Sequence, residues 1–340
     1  MELALDNRQT LIVAILVYFL GKHLVSRIRF LREYNISQPV AGGVLASLGT
    51  GALYSLFATE VNFGLALRDT LLITFFATVG LSSRVETLIK GGRRLLVLLI
   101  VAVTYLAIQN ITGIAVAVTS GLDPNVGIVG GSMSLSGGHG TAIAWAPVFE
   151  QDYAVSGAAE IGVACATFGL VLGGVIGGPI ARALITRHGL RPTSEETLSV
   201  GLPHETTAGE VSIDVDSMLR TILVIAWSIG IGLAINEALI AAGVNLPAFV
   251  TALFAGILLT NTLPHLFRKL QWPTGTPALA LVSDLSLGLF LAMSLMSLKL
   301  WTLAELAGPI LAMLVAQVLV IVLYVLYIDF RSWAAITTQR

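Results

Sequence analysis

The sequence predicts an all-α, polytopic membrane protein, built as an inverted-topology repeat with a glycine-rich re-entrant loop and an incomplete second repeat. Three observations lead to this fold class: a composition poor in charge, a series of long apolar segments, and one apolar segment rich in glycine and serine. Of the 340 residues, 56% are hydrophobic and 11% are charged, whereas a soluble domain carries about 25% charged residues. So few charges cannot cover the surface of a soluble protein, which excludes a water-soluble enzyme, a disordered chain and a fibrous protein.

The charge balance and the cysteine content exclude further classes. The chain has 19 Lys and Arg against 20 Asp and Glu, a net charge of −1. We therefore expect no nucleic-acid partner, because binding to phosphates relies on a basic excess. The single cysteine, Cys165, excludes an internal disulfide and a cysteine-rich metal site.

Nine segments have about the 20 apolar residues that a helix needs to cross a bilayer. They are residues 8–26, 38–58, 68–83, 95–120, 155–181, 217–242, 247–264, 279–298 and 303–328. The first is not a cleaved signal peptide, because it ends at Gly21 and Lys22 without a small-residue cleavage site. We expect it to remain as a membrane anchor.

The distribution of basic residues predicts the orientation, since Lys and Arg in short loops mark the cytoplasmic side. The loops after the first and third spans are basic, whereas loops 59–67 and 121–124 contain neither Lys nor Arg. The basic residues are Lys22, Arg27, Arg29 and Arg32 in the first loop and Arg84, Lys90, Arg93 and Arg94 in the second. This alternation predicts that the N-terminus lies outside the cytoplasm, in the periplasm.

A tenth segment, 125–149, is predicted to enter the membrane and return on the same side. If it crossed fully, the next span would carry three arginines to the outside, namely Arg182, Arg187 and Arg191. Lipid cannot satisfy the polar groups of broken backbone, so such a segment must be buried in protein or line a wet cavity.

A weak internal repeat relates the two halves. At an offset of 215, residues 77–88 match residues 292–303 at four of twelve positions, and at an offset of 208 Pro39 falls on Pro247. The first half has five full crossings, so the second half runs in the opposite direction, as in many secondary transporters. The counterpart of His139 falls near position 354, beyond Arg340, so we expect the second repeat to be incomplete.

The predicted domains follow from this repeat. Residues 1–185 form a five-span membrane domain with the loop 125–149, and residues 186–216 form a polar cytoplasmic linker. Residues 217–328 form the incomplete C-terminal membrane domain, and 329–340 are an atypical tail.

The run Gly130–Thr141 is the strongest candidate for a binding site. Its glycines allow unusual backbone conformations, freed N–H groups can hold an anion, and carbonyls with hydroxyls can hold a cation. The candidate substrate ligands are Ser134, Ser136, Gly137, Gly138, His139, Gly140 and Thr141. Two alternatives stay open: the small residues pack helices closely, and His139 stabilises the turn.

Three further residues are candidates for binding a coupling ion: Glu160, Thr167 and Asp284. Each has another explanation, because Glu160 can reach water, Asp284 lies near a membrane face, and Thr167 can bond to its own helix. Gln109 and Asn110 are expected to form hydrogen bonds between helices. Ser136 and His139 share one segment, but the G-x-S-G setting of a serine nucleophile is absent, so we do not expect an enzyme.

Several motifs resemble the bacterial sodium:glutamate symporter family. They are Leu67-Arg68-Asp69, the segments 75–81 and 134–141 (FFATVGL and SLSGGHGT), the segment 165–174 (CATFGLVLGG) and Leu289-Phe290-Leu291-Ala292-Met293. The resemblance runs from the first span to about residue 328.

The resemblance implies two five-span domains of inverted topology in the bacterial inner membrane, each with a re-entrant loop. It also implies sodium-coupled uptake of glutamate by a homodimer, with Na⁺ as coupling ion and no organic cofactor. The tail 329–340 departs from the family's continuation. The alternatives are therefore a truncated fragment that does not transport, or a proton- or sodium-coupled carrier of another carboxylate.

Overall fold

A computed structural model describes residues 2–33, 36–188, 214–244, 246–266, 272–299 and 306–329. Two short strands are present, β1 (Glu2–Leu5) and β2 (Glu60–Phe63). The helices are α1 (Asn7–Arg27), α2 (Arg29–Glu33), α3 (Gln38–Phe57), α4 (Ala66–Ser82), α5 (Val85–Thr119), α6 (Pro124–Ile128), α7 (Gly138–Gln151), α8 (Ala158–His188), α9 (Val215–Ala241), α10 (Ala248–Leu266), α11 (Pro277–Met296) and α12 (Ala307–Tyr324). Two π-helical turns lie at Val129–Met133 and Val325–Asp329.

The all-α, polytopic fold class is confirmed. Within the described ranges, eight helices are long and apolar enough to cross a membrane. Helix α4, which corresponds to the predicted span 68–83, has 17 residues and is shorter than these eight. Large apolar side chains such as Ile12, Leu16 and Leu311 lie exposed on the helices, as expected of surfaces in contact with lipid.

The strands join two segments that the topology places on the same side. β1 pairs with β2 in parallel, from Glu2 opposite Glu60 to Leu5 opposite Phe63. Asp6 follows β1 and caps α1, since its Oδ1 accepts hydrogen bonds from the Arg8 and Gln9 N–H groups, both at 2.8 Å. The first span therefore starts beside the loop that follows the second span.

The helices pack as two bundles, and each bundle takes helices from both halves of the sequence. Helices α1, α3, α4, α9, α10 and α11 form one bundle, while α5, α6, α7, α8 and α12 form the other. The sequence halves are thus interleaved in space. The predicted boundaries stay predictions, since residues 189–213 of the linker and 330–340 of the tail lie outside the described residues.

Reciprocal close contacts support the internal repeat. In the first half α1 meets α3 where Gly21 lies against Gly42, and in the second half α9 meets α10 where Gly232 lies against Ala252. These contacts are separated by 210 or 211 positions, similar to the offsets seen in the sequence.

A second pair of contacts joins the halves to each other. Gly43 of α3 lies against Leu295 of α11, and Leu253 of α10 lies against Gly80 of α4. An offset of 210 relates Gly43 to Leu253, and an offset of 215 relates Gly80 to Leu295. Each contact is therefore the counterpart of the other, with glycine and leucine exchanged. A two-fold relation between inverted repeats, as the sequence predicts, would produce this exchange.

Gly80→Ala tests the contact between α4 and α10. An added Cβ would collide with the Leu253 carbonyl and approach the Gly256 backbone, neither of which can move aside as a flexible side chain could. We expect the free energy of unfolding to fall by about 1–3 kcal/mol, measured by thermal unfolding in detergent. The control is Gly49→Ala, where nothing lies within 4 Å of the new atom; equal stability of the two variants would contradict this packing.

Candidate functional site

The segment 124–151 is a helical hairpin rather than a continuous helix. Its first arm consists of α6 and the π-helical turn, its second arm is α7, and the chain turns at Ser136 and Gly137. The first arm runs antiparallel to α5, where Gly127 lies against Gly113. The second arm runs antiparallel to α8, so both ends of the hairpin lie at the same end of the bundle.

The tip of the hairpin reaches the middle of the neighbouring spans. Ser136 contacts Gln109, which lies ten residues before the end of α5 at Thr119. Ten helical residues correspond to about 15 Å, half of a hydrocarbon core of about 30 Å. This is the geometry that the re-entrant prediction requires, and the depth of the tip within a bilayer stays a prediction.

Two adjacent amides of α5 hold the first arm where its backbone leaves helical geometry at Gly131. Asn110 Oδ1 accepts a hydrogen bond from Ser132 N at 3.1 Å, and Gln109 Oε1 accepts one from Ser136 Oγ at 2.6 Å. These are interhelical bonds, as the sequence suggested, and their partner is the candidate binding segment itself. Gln109 and Asn110 therefore belong to the site.

The second arm is fixed by His139, which hydrogen-bonds Thr167 Oγ1 through Nε2 at 3.0 Å. The Thr167 hydroxyl donates its hydrogen to the Val163 carbonyl at 2.8 Å. The hydrogen shared with His139 must therefore come from Nε2, since a hydroxyl has one hydrogen to donate. Thr167 thus bonds to its own helix, as the sequence allowed, and His139 links α7 to α8, while the ligand roles of both residues stay predictions.

Helix α7 presents its N-terminus at the tip. The first N–H groups of a helix have no acceptor within it, and no side chain caps α7. The Gly137 N–H donates to the Ser132 carbonyl at 2.9 Å, which leaves the N–H groups of Gly138, His139 and Gly140. These groups and the positive end of the helix dipole favour an anion here.

Two cavities meet at the tip. One, of about 410 Å³, lies between α5, α8 and α12, and the other, of about 470 Å³, lies beside the turn of the hairpin. Ser136 lines both, while Gly137 and Thr141 line the second. Ser134 is fully buried and donates its hydroxyl hydrogen to the Val129 carbonyl, so it stabilises the first arm.

The remaining predicted ion ligands lie away from the tip. Glu160 Oε1 accepts a hydrogen bond from the Lys299 N–H at 3.0 Å, and Lys299 Nζ pairs with Glu60 at 2.5 Å. This group joins the two bundles near the N-terminal end of α8. Asp284 is exposed on α11. Of the three predicted ion ligands, the structure brings only Thr167 to the tip.

One residue of the site was missed. Gln317 of α12 donates from Nε2 to the Gln109 carbonyl at 2.7 Å and is 3% exposed. Its signal in the sequence is a single amide within an otherwise apolar helix, and polar groups inside membrane helices usually serve helix association or function.

These features define a class of protein. Many apolar spans, an inverted repeat and a broken helix with its polar tip between cavities are typical of secondary transporters. The chain belongs to the sodium/glutamate symporter family, whose sequence profile matches residues 3–335.

Individual relatives agree with this membership. The chain is 42% identical over 337 residues to the sodium/glutamate symporter of Escherichia coli K12, covering 96% of this chain and 81% of that protein. It is 37% identical over 334 residues to the sodium/glutamate symporter of Haemophilus influenzae, covering 98% of this chain and 82% of that protein. No solved structure matches the chain.

The comparisons confirm the family resemblance seen in the sequence. They also confirm the assignment to transporters rather than enzymes, since the family is one of symporters. The chain is a multi-pass membrane protein.

Replacing Asn110 tests its support of the hairpin. Asn110→Leu leaves the Ser132 N–H without its acceptor, so we expect hydrogen–deuterium exchange in residues 124–137 to accelerate by about tenfold. The control is Asn62→Leu at an exposed position of β2. An unchanged exchange rate in Asn110→Leu would show that the amide does not hold the first arm.

Proposed function

We propose that the chain performs sodium-coupled uptake of L-glutamate across the bacterial inner membrane. The observation that carries this proposal is that a whole-chain match to sodium/glutamate symporters coincides with a hairpin whose polar tip opens into two cavities. The hairpin places groups that suit a dicarboxylate about halfway along the spans.

The substrate carboxylates bind at the start of α7. The N–H groups of Gly138, His139 and Gly140 are available as donors there, and the hydroxyls of Ser136 and Thr141 line the adjoining cavity. Anions bind favourably at a helix N-terminus because N–H groups and the helix dipole act together. The backbone groups bind without side-chain charge, so an empty site leaves no fixed charge in the membrane.

Sodium binds near the tip through neutral oxygens. Na⁺ is a hard cation that suits carbonyl and hydroxyl oxygens, which transporters expose where helices are broken. Thr167 lies beside His139, and the π-helical turn Val129–Met133 bends away from the regular hydrogen-bond pattern. Binding both solutes offsets their charges, and movement of one bundle against the other then exposes the site alternately to each side.

The proposed orientation has the N-terminus in the periplasm. It is supported by the basic loops at one end of the spans and by the pairing of β1 with β2 at the other. We further propose a homodimer, as the family resemblance implies. Crosslinking in native membranes tests the dimer, and cysteine accessibility at Glu2 tests the orientation.

Uptake by the purified chain in liposomes tests the proposed function. An inward sodium gradient should drive accumulation of labelled L-glutamate, and an equal potassium gradient should not. A protonophore should leave the initial rate unchanged, because sodium rather than protons supplies the coupling. Accumulation that follows a proton gradient alone, or none under a sodium gradient, would reject the proposal.

Gly138 and Gly140 form a matched pair for testing the tip. Both have open space where a Cβ would lie, but only Gly138 has a positive φ, of 73°. An L-residue there costs about 1–2 kcal/mol, so Gly138→Ala should displace the first N–H of α7 and reduce sodium-driven uptake about tenfold. Gly140→Ala should transport normally. Equal rates in the two variants would show that the backbone at Gly138 does not shape the site.

A further inference from the structure

The side-chain oxygen of Gln317 is buried without a hydrogen-bond partner. Within the described residues only two buried side-chain atoms share this property, Gln317 Oε1 and Ser294 Oγ. Leaving a buried acceptor unpaired costs free energy, and within a membrane span there is no bulk water to compensate. Of the two, only Gln317 lines one of the cavities at the tip.

The orientation of the Gln317 amide follows from its partner. Its nitrogen donates to the Gln109 carbonyl at 2.7 Å, and a carbonyl oxygen can only accept. The nitrogen must therefore face Gln109, which leaves Oε1 as the unpaired atom. Turning the amide over would bring two oxygens together.

The surroundings of Gln317 suit a small amphiphilic solute. The 410 Å³ cavity falls within the usual range for ligand pockets. Its polar residues are Tyr105, Gln109, Ser136 and Gln317, and most of the remaining wall is aliphatic. The polar residues lie together at the hairpin tip, where the proposed carboxylate site begins.

The missing partner must be a donor. Gln109 Oε1 already accepts from Ser136, so the one hydroxyl hydrogen of Ser136 is in use. Gln109 Nε2 donates to the Tyr105 hydroxyl at 3.4 Å, and neither of these two groups bonds to Gln317 Oε1. A dicarboxylic amino acid supplies a donor of its own, because its ammonium group carries three N–H bonds. A charged donor forms a stronger hydrogen bond than a neutral one.

We propose that Gln317 Oε1 accepts a hydrogen bond from the ammonium group of the substrate, which makes Gln317 a residue that selects amino acids over dicarboxylates without an amine. This inference rests on the proposed transport of glutamate. In the conformation described, Oε1 has no exposed surface, so a rotation of the side chain or a small shift of α12 uncovers it as the substrate enters.

The test compares the dissociation constants of L-glutamate and glutarate, which share a five-carbon dicarboxylate skeleton and differ in the ammonium group. Both are measured by calorimetry on the purified full chain in saturating sodium. The wild type should prefer glutamate by at least about tenfold.

Two substitutions separate recognition from structure. Gln317→Met removes both polar atoms and should reduce the preference for glutamate about tenfold, with glutarate binding unchanged. Gln317→Glu keeps an acceptor oxygen but loses the N–H donor to Gln109, so it should retain the preference. The control is Gln151→Leu, an amide replacement at an exposed position at the end of α7.

Several outcomes would overturn the inference. Met and Glu variants with the same preference would show that Gln317 acts only through its bond to Gln109. An unchanged preference in Gln317→Met, or a change only in the sodium dependence, would exclude the ammonium as its partner. If the wild type binds no glutamate in sodium, the proposed function fails as well. If the wild type binds glutamate but Gln317→Met leaves the ratio of the glutamate and glutarate dissociation constants unchanged, only this inference is rejected.

Discussion

The structure depends on one constraint: peptide groups that leave helical geometry inside a membrane must find partners within the protein. Asn110 meets this requirement for the Ser132 N–H, and Gln109 binds the hydroxyl of Ser136 at the turn. Both amides lie on α5, so a single helix holds the first arm of the hairpin. Without these bonds the arm could straighten into a regular helix, and the N-terminus of α7 would no longer be fixed at the middle of the bundle.

Small residues bring the helices close enough for these bonds to form. Gly113 and Gly127 bring α5 and α6 into backbone contact, and Gly130 lies against Met313 and Cys165. The hairpin is thereby enclosed by α5, α8 and α12, and large side chains such as Met133, Ile161 and Met313 fill the space around it. The sequence offered packing and ligand binding as alternative explanations for the glycines. Gly127 and Gly130 serve close packing, whereas Gly138 and Gly140, which have open space beside them, are the glycines proposed to bind the ligand.

Much of the fold could be predicted from the sequence because the bilayer imposes simple rules. Span length and a glycine-rich interruption predict the helices, and basic loops predict their orientation. The family match supports the class of protein. The interleaving of the two halves could not be read from local patterns, since it depends on contacts such as Gly80 with Leu253. Among the site residues, Ser134 has the same residue type as Ser136 but is fully buried. Residue type alone cannot separate a ligand from a structural hydroxyl.

Two glutamines at corresponding positions of the two halves contact each other beside the hairpin. Gln109 and Gln317 lie 208 positions apart, close to the repeat offsets, and they meet directly between α5 and α12. Their roles differ: the oxygen of Gln109 is satisfied by the hairpin, whereas that of Gln317 has no partner. Any movement of α12 away from α5 must break their shared bond or carry Gln109, and with it Ser136, along. A solute bound to Gln317 would therefore act on the hairpin that we propose binds its carboxylates, and occupancy of the site would be linked to the separation of the two helices.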